Sequence, residues 1–297
     1  MWQLNTLDVD LVHFTHFNVP LFYRKPFVLT IHDITRFIFP GQKQQSLLSQ
    51  IGYEVVFARA VSHAKKVIAV SNTTAQEIKS LPIRSNVPIT TIYEGVDPAF
   101  LEPVPLGVKQ KTRLLLGTDK SYLLYVGVWM SHKNLMRLLD AFQIIAAEYP
   151  DLQLVITGKP VPAYSNVIQY IRDHRLESRV VFPGFVPQSL LPAVYSLATA
   201  LVFPSLYEGF GLPPLEAAAC GVPVVASLAS SIPELLQDTA EYVNPESVHD
   251  IARGIQAVLQ DTAYAQSLTV QGIQNASKYR WDTAAREHIR LYENAVQ

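Results

Sequence analysis

Short apolar runs rich in β-branched residues alternate with helix-period stretches along nearly the whole chain. That alternation confines it to parallel α/β architectures, because parallel neighbours need a long crossover between them. Strand-like runs at 11–15, 27–31, 67–71 and 89–93 enclose helical patterns at 46–63 and 73–80. A turn-rich stretch from Gly95-Val96-Asp97-Pro98 through Pro103 and Pro105 then interrupts the pattern as a linker. The alternation restarts with strand-like runs at 122–128, 152–157, 180–182, 200–203, 222–226 and 241–243. Helical patterns at 134–148, 163–174, 190–197, 215–220 and 232–237 separate these runs, and three more follow at 248–260, 263–278 and 281–295. The second series makes a complete doubly wound domain, whereas the first is part of one, with its opening strands expected ahead of Leu11. An unfinished sheet leaves an apolar edge that invites aggregation or a further strand. The chain thus reads as two Rossmann-like doubly wound α/β domains, 1–104 (incomplete) and 105–280, with a closing helix at 281–297.

Within the second series, the stretch Ser205-Leu206-Tyr207-Glu208-Gly209-Phe210-Gly211-Leu212-Pro213-Pro214-Leu215-Glu216 carries the most chemistry. The apolar run before it is a buried strand, Gly209 and Gly211 make a turn that lets backbone approach a ligand closely, and Pro213-Pro214 opens a helix. Ligands of open α/β sheets sit beyond the carboxyl ends of the strands, where the next helix offers N–H groups to a phosphate. Complementation of the helix dipole would account for Glu216 but not for Glu208, which precedes a loop and stabilises no regular element. The two acids, with seven residues between them, therefore point to a sugar-nucleotide site. Neither the third glycine of a dinucleotide fingerprint nor the Gly-Lys-Ser/Thr of a triphosphate loop follows.

Composition excludes several alternatives. With 297 residues, 49% hydrophobic and 16% charged, there is enough chain for two domains with cores of their own. A formal net charge of -1 gives no electrostatic case for nucleic acid as a partner. Cys220, the one cysteine, precludes an intrachain disulfide and reads as a small buried hydrophobe, which fits a reducing cytoplasm. The start Met1-Trp2-Gln3-Leu4-Asn5 lacks the basic and apolar parts of a signal peptide, and no window approaches the roughly 18 apolar residues of a membrane span. The expected place is cytoplasmic, with any membrane contact peripheral at the inner face. No His, Cys, Asp or Glu set has metal-ligand spacing, and no Ser, His and Asp grouping suggests an activated nucleophile.

Further strings complete a pattern: Thr30-Ile31-His32-Asp33, Val70-Ser71 before a helix, Glu94-Gly95-Val96-Asp97, Val126-Gly127 to His132-Lys133-Asn134, and the continuation of Glu216 into Ala219-Cys220-Gly221-Val222-Pro223-Val224-Val225. From about Asp8 to its end the chain resembles the retaining glycosyltransferases of family 4, which have two Rossmann-like domains facing a cleft, the GT-B fold. The resemblance implies transfer of a sugar from a nucleoside diphosphate sugar to an acceptor hydroxyl in glycan or polysaccharide synthesis, with no cofactor and no metal. It assigns Glu216 to the ribose hydroxyls and Glu208 to hydroxyls of the donor sugar. The backbone of Gly209, Phe210, Gly211 and Leu212 would face the diphosphate, and Gly127 adjoins the same donor site. Ionised carboxylates suit vicinal diols, because each accepts two directed hydrogen bonds.

Lys133 stands where the family binds phosphate. A cation at the start of a helix near Asn134 also opposes the helix dipole, by a few tenths to about 1 kcal/mol, and a bound diphosphate removes that conflict. The alternative is a lysine reaching into solvent. Val128 occupies a position that is polar or basic in many relatives, so one expected contact to phosphate or sugar is missing. His132 is either support behind Lys133 or surface. His32, at the end of the run 27–31, stands where the family brings a histidine near the reacting carbon; otherwise it is a histidine bonded to a neighbouring loop. His13 reads as core, and His16 as a residue of the acceptor side.

By the same resemblance His32, Lys133 and Glu208 form the catalytic set. Lys133 and the helix opening at Pro213 would stabilise charge on the leaving diphosphate, whose oxygen deprotonates the acceptor, so that configuration is retained without a protein nucleophile. The string His13-Phe14-Thr15-His16-Phe17-Asn18-Val19-Pro20, with Thr30-Ile31-His32-Asp33-Ile34, is most similar to the family's bacterial mannosyltransferases and suggests GDP-mannose as donor. The acceptor would be a lipid-linked glycan, a polysaccharide or a small molecule. In relatives the last helix, from Trp281, crosses back onto the first domain; the other arrangement packs it wholly on the second. Two rival functions remain: a non-catalytic nucleotide-sugar-binding subunit that needs a partner to complete its first domain, and the same architecture used for epimerisation or phosphorolysis.

Overall fold

The computed structural model describes residues 5–6, 8–40, 47–158 and 166–296. Residues 1–4, Ser46 and 163–165, which carry the expected signal-free start and the openings of two expected helices, lie outside the described residues. The chain divides into two compact units, one of Met1–Gly95 with Arg280–Gln297 and one of Val96–Tyr279.

In the first unit β1 (Val12–Phe14), β2 (Phe27–Ile31), β3 (Lys66–Ala69) and β4 (Ile89–Thr91) form a parallel sheet in sequential order. β2 is buried at every position, which is why it reads as a continuous apolar run and not as an alternation. β1 stands at the edge and is only partly buried. The helix Asn72–Ser80 after β3 starts at Ser71, whose hydroxyl accepts from the Thr74 N–H. The C-terminal helix Trp281–Val296 returns to this sheet. Its Ala284, Leu291 and Ala295, spaced to share one face, pack with Val28, Ile68 and Ile92. The crossing is close: a Cβ on Gly95 would stand 2.2 Å from the backbone nitrogen of Trp281.

In the second unit β5 (Tyr122–Tyr125), β6 (Gln153–Ile156), β7 (Val180–Val181), β8 (Ala200–Phe203), β9 (Val224–Ser227) and β10 (Glu241–Val243) form a six-stranded sheet in the order β10-β9-β8-β5-β6-β7. All of its pairings are parallel. The chain builds outward from β5 to β7, then returns to the other side of β5 for β8 and builds outward again. Leu138, Phe142 and Ile145 of the helix Leu135–Glu148, and Ile251, Ile255 and Val258 of the helix Val248–Gln260, belong to one core with Leu123, Val202 and Val225 of the sheet. Each such side chain contributes about 1.5–3 kcal/mol by leaving water.

The stretch after Gly95 is less of a linker than its prolines suggest. Phe100 is buried in the second unit, its ring 5.7 Å from that of Tyr195. A helix that the periodicity did not disclose, Leu106–Leu116, follows Pro105 directly and ends at Gly117, which has φ 68. Among the described residues, no helix is long and apolar enough to cross a membrane, and no group of three or more His, Cys, Asp or Glu could hold a metal ion.

The Gly95 crossing yields a test of how the C-terminal helix is held. Gly95→Ala should lower stability by about 1–3 kcal/mol and speed amide exchange along Trp281–Val296, as read by chemical denaturation and hydrogen exchange. An unchanged midpoint and unchanged exchange would show that the crossing has room to spare.

Candidate active site

The reversal of direction between β5 and β8 separates their outgoing loops and opens the sheet's carboxyl end at that point. Lys133 ends a short turn, Ser131–Lys133, after β5, and Glu208 lies in the loop after β8. Asn134 ties the loops together. At φ 62 it starts the helix Leu135–Glu148, and its Nδ2 donates to the carbonyls of Pro204 at 2.9 Å and Pro245 at 2.6 Å. The Leu206 N–H donates to the His132 carbonyl at 2.7 Å. His132 itself is buried, so of its two expected placements the surface one is not realised.

Lys133 does not reach into solvent. Its Nζ donates to both carboxylate oxygens of Glu208, each at 2.7 Å, and the side chains are only 19% and 11% exposed. The ammonium also stands 5.8 Å from the centre of the Phe203 ring. Close by in the chain, Tyr125 Oη and Ser205 Oγ, at the ends of β5 and β8, are buried with no hydrogen-bond partner among the described residues. Burial and then the Glu208 charge push the Tyr125 phenol well above its usual range. Val128 is half exposed, and β5 stops at Tyr125, so Val126, Gly127 and Val128 belong to the loop.

The turn after Glu208 needs its second glycine. Gly211 has φ 113, and a Cβ there would meet Ile232 Cδ1 at 2.6 Å. The helix that follows, Leu212–Ala219, begins earlier than expected, and with prolines at its second and third positions only Leu212 and the cap residue Gly211 have N–H groups left outside the helical ladder. Gly209, Phe210 and Gly211 are buried, with the Phe210 ring edge-on to Tyr279 at 6.1 Å, so Phe210 can serve a ligand only through its backbone. Glu216 lies beyond the first turn, where the helix dipole gives no reason for an acid. Its Oε2 accepts from the Tyr195 hydroxyl at 2.7 Å. Burial raises the Glu216 carboxyl above its ordinary range, Tyr195 counteracts this, and Asp97 adds to it. Neighbouring Cys220 is no nucleophile: burial, then Glu216, push its thiol up to about 12.

In the first unit His32 is bonded on both sides. Its Nδ1 meets Glu94 Oε1 at 2.9 Å, and its Nε2 meets the Thr15 carbonyl at 3.1 Å. A carbonyl and an ionised carboxylate only accept, so satisfying both at once takes two ring N–H groups, an arrangement that favours the imidazolium. The Glu94 hydrogen bond is the largest cause of its raised pKa, opposed by burial. Loop bonding, the alternative expected for His32, is therefore present, and any direct substrate contact requires release of Thr15 or acts through charge. His13 lies between Tyr292 Oη at 2.6 Å and Thr30 Oγ1 at 2.8 Å, and burial, His288 and His32 lower its pKa to about 4. His16 packs on Phe17, ring centres 4.1 Å apart.

Tyr195, Asn134 and Glu94 hold the named side chains in place, yet of these only Glu94 and Asn134 stood in strings that the sequence marked. Tyr195 carried no signal, because its link to Glu216 joins two separate helices.

Two Rossmann-like units, with a cation and acids at the reversal of the second sheet, define a GT-B sugar transferase. Residues 109–277 match the family described as Glycosyl transferases group 1, and residues 2–100 match Glycosyltransferase Family 4. The chain belongs to glycosyltransferase family 4, whose retaining hexosyltransferases use nucleotide-sugar donors. It is 30% identical to the O-antigen chain mannosyltransferase B of Escherichia coli, over 98% of this chain and 76% of that protein. It is also 30% identical to the O-antigen chain mannosyltransferase RfbU of Salmonella typhimurium, over 80% of this chain and 61% of that one. Among solved structures, sucrose-phosphate synthase from Thermosynechococcus elongatus superposes with a TM-score of 0.81 at 24% identity, covering 96% of this chain and 73% of that one. Anabaena HepE in complex with UDP-glucose gives 0.77 at 22% identity, over 91% and 73%. These two likenesses bear on the fold.

The two first-unit histidines should titrate on opposite sides of the ordinary 6.5, His32 above it and His13 near 4, by NMR of the imidazole protons. Because the folded pKa of His32 is raised, its stabilisation is full below 6.5 and is lost as pH rises through the folded value. His32→Asn should therefore flatten that limb of the stability profile. Two midpoints near 6.5 would contradict both environments.

Proposed function

We propose that this chain transfers mannose from GDP-mannose to a hydroxyl of a growing polysaccharide or lipid-linked glycan, with retention and without a metal ion. The observation that carries the donor site is the Lys133–Glu208 pair at the reversal point, beside the turn that opens the helix Leu212–Ala219. The two O-antigen mannosyltransferases at 30% identity support mannose and a polysaccharide acceptor.

A diphosphate entering beside Lys133 finds an ammonium and the backbone N–H groups of Gly211 and Leu212, and these neutralise the leaving group in place of a divalent ion. Glu208, relieved of Lys133, accepts hydrogen bonds from hydroxyls of the sugar, and Glu216 accepts from the ribose diol. The leaving phosphate oxygen takes the acceptor proton as the sugar carbon passes from phosphate to acceptor on the same face. The part assigned to His32 is the positive charge that its bond to Glu94 favours. The enzyme works in the cytoplasm, peripherally at the membrane when its acceptor is lipid-linked.

A second reading, a nucleotide-sugar-binding unit completed by a partner, is favoured by β1 standing at an edge of its sheet among the described residues. It predicts donor binding without turnover by the purified chain.

In a thermal-shift panel of UDP, GDP and ADP sugars, GDP-mannose should raise the midpoint most. Lys133→Ala should slow transfer about 100-fold, Glu216→Gln should weaken donor binding about tenfold, and EDTA should leave turnover unchanged. Stabilisation by another nucleotide sugar alone would replace the donor. Wild-type donor affinity and turnover in both variants would remove the site.

A further inference from the structure

Two adjacent serines grip the turn after β8 from the segment that precedes the helix Ile232–Leu236. Ser230 Oγ lies 2.5 Å from the Glu208 carbonyl oxygen, and Ser231 Oγ lies 2.6 Å from the Phe210 carbonyl and 3.0 Å from that of Glu208. Carbonyls only accept, so each serine donates its one proton; Ser230 serves Glu208, and Ser231 makes its shorter bond to Phe210.

The local helix gives neither serine a reason to be where it is. Ser231 is fully buried and heads Ser231-Ile232-Pro233-Glu234, a capping-box pattern, yet its side chain makes no cap hydrogen bond. Its backbone, at φ -74 and ψ -11, is helical and lacks the extended geometry of a cap. Ser230 sits at φ 54, a left-handed conformation uncommon for serine. A forgone cap and an unfavourable backbone angle both become intelligible once the serines are seen to serve the turn.

Planarity supplies the consequence. In a trans peptide the C=O and the N–H of one unit point in opposite directions. Holding the Phe210 carbonyl on Ser231 turns the Gly211 N–H the other way, and holding the Glu208 carbonyl on both serines braces the start of the same turn. We infer that Ser231, assisted by Ser230, is a positioning residue that presets the Gly211 N–H dipole of this turn for a diphosphate. The inference rests on the nucleotide-sugar reading of the site. Dipoles fixed before the ligand arrives need no reorientation when charge develops on it.

The test is a comparison of phosphate number, which a general loosening of the fold would not sort. Calorimetric titrations of wild type, Ser231→Ala and Ser230→Ala with GDP and GMP, or with UDP and UMP where wild type takes uridine, read the affinity of each. Ser231→Ala should weaken the diphosphate about tenfold, the loss of one oriented hydrogen bond, and the monophosphate less than about twofold. Should Ser231→Ala fail to melt cooperatively, Ser230→Ala carries the same comparison, with a smaller loss in the same sense. Equal losses for mono- and diphosphate, or none, would overturn the positioning role while leaving the donor site intact. A wild-type protein that binds no nucleoside diphosphate would overturn the donor site and this role together.

Discussion

Where the second sheet reverses its direction of growth decides what the rest of that unit can do. Because β8 returns to the far side of β5, the strand order reverses there, and open α/β sheets bind ligands in the crevice at the carboxyl ends of strands at such a point. Lys133 and Glu208 come from the loops after these two strands and meet across it. Removing one member of a well-buried ion pair leaves the other uncompensated, at a cost of about 3–5 kcal/mol; the residual exposure of this pair lessens that figure. Under the proposed function an incoming diphosphate exchanges one anion for another at the same ammonium.

Most of the fold was legible because parallel strands buried on both faces leave continuous apolar runs; those at 27–31 and 200–203 coincide with β2 and β8. Where apolarity and strand part company, the pattern overshot: Val126 and Val128 extend the run of β5 but belong to the loop. The helix Leu106–Leu116 escaped because only Thr112 and Leu116 of it are buried, too few to print a periodic stripe. Charged residues of the segments that follow β5 and β8 were legible for a related reason: no local element calls for a charge at Lys133, Glu208 or Glu216. Their supports were not, since the Lys133–Glu208, Glu216–Tyr195 and Asn134–Pro245 links join residues 75, 21 and 111 positions apart. No local pattern records such pairings. Ser231 carried a local pattern that pointed elsewhere, to a helix cap that its hydroxyl does not make.

In the first unit, a histidine of β1 and another just past the end of β2 have opposite environments. His13 is half-buried beside a tyrosine, a threonine and another histidine, in surroundings that disfavour its proton, while His32 is held by a carboxylate that favours it. The C-terminal helix shapes this environment by bringing Tyr292 and His288 to His13, so the end of the chain sets the charge pattern near its beginning.

The most direct test of the donor site is a crystal structure of the protein with GDP-mannose or, where another nucleotide sugar stabilises it, with that one. The diphosphate should lie within hydrogen-bond reach of Lys133 Nζ and of the Gly211 and Leu212 N–H groups, with the ribose on Glu216 and the sugar on Glu208. A nucleotide bound elsewhere, with the Lys133–Glu208 pair still closed, would contradict it.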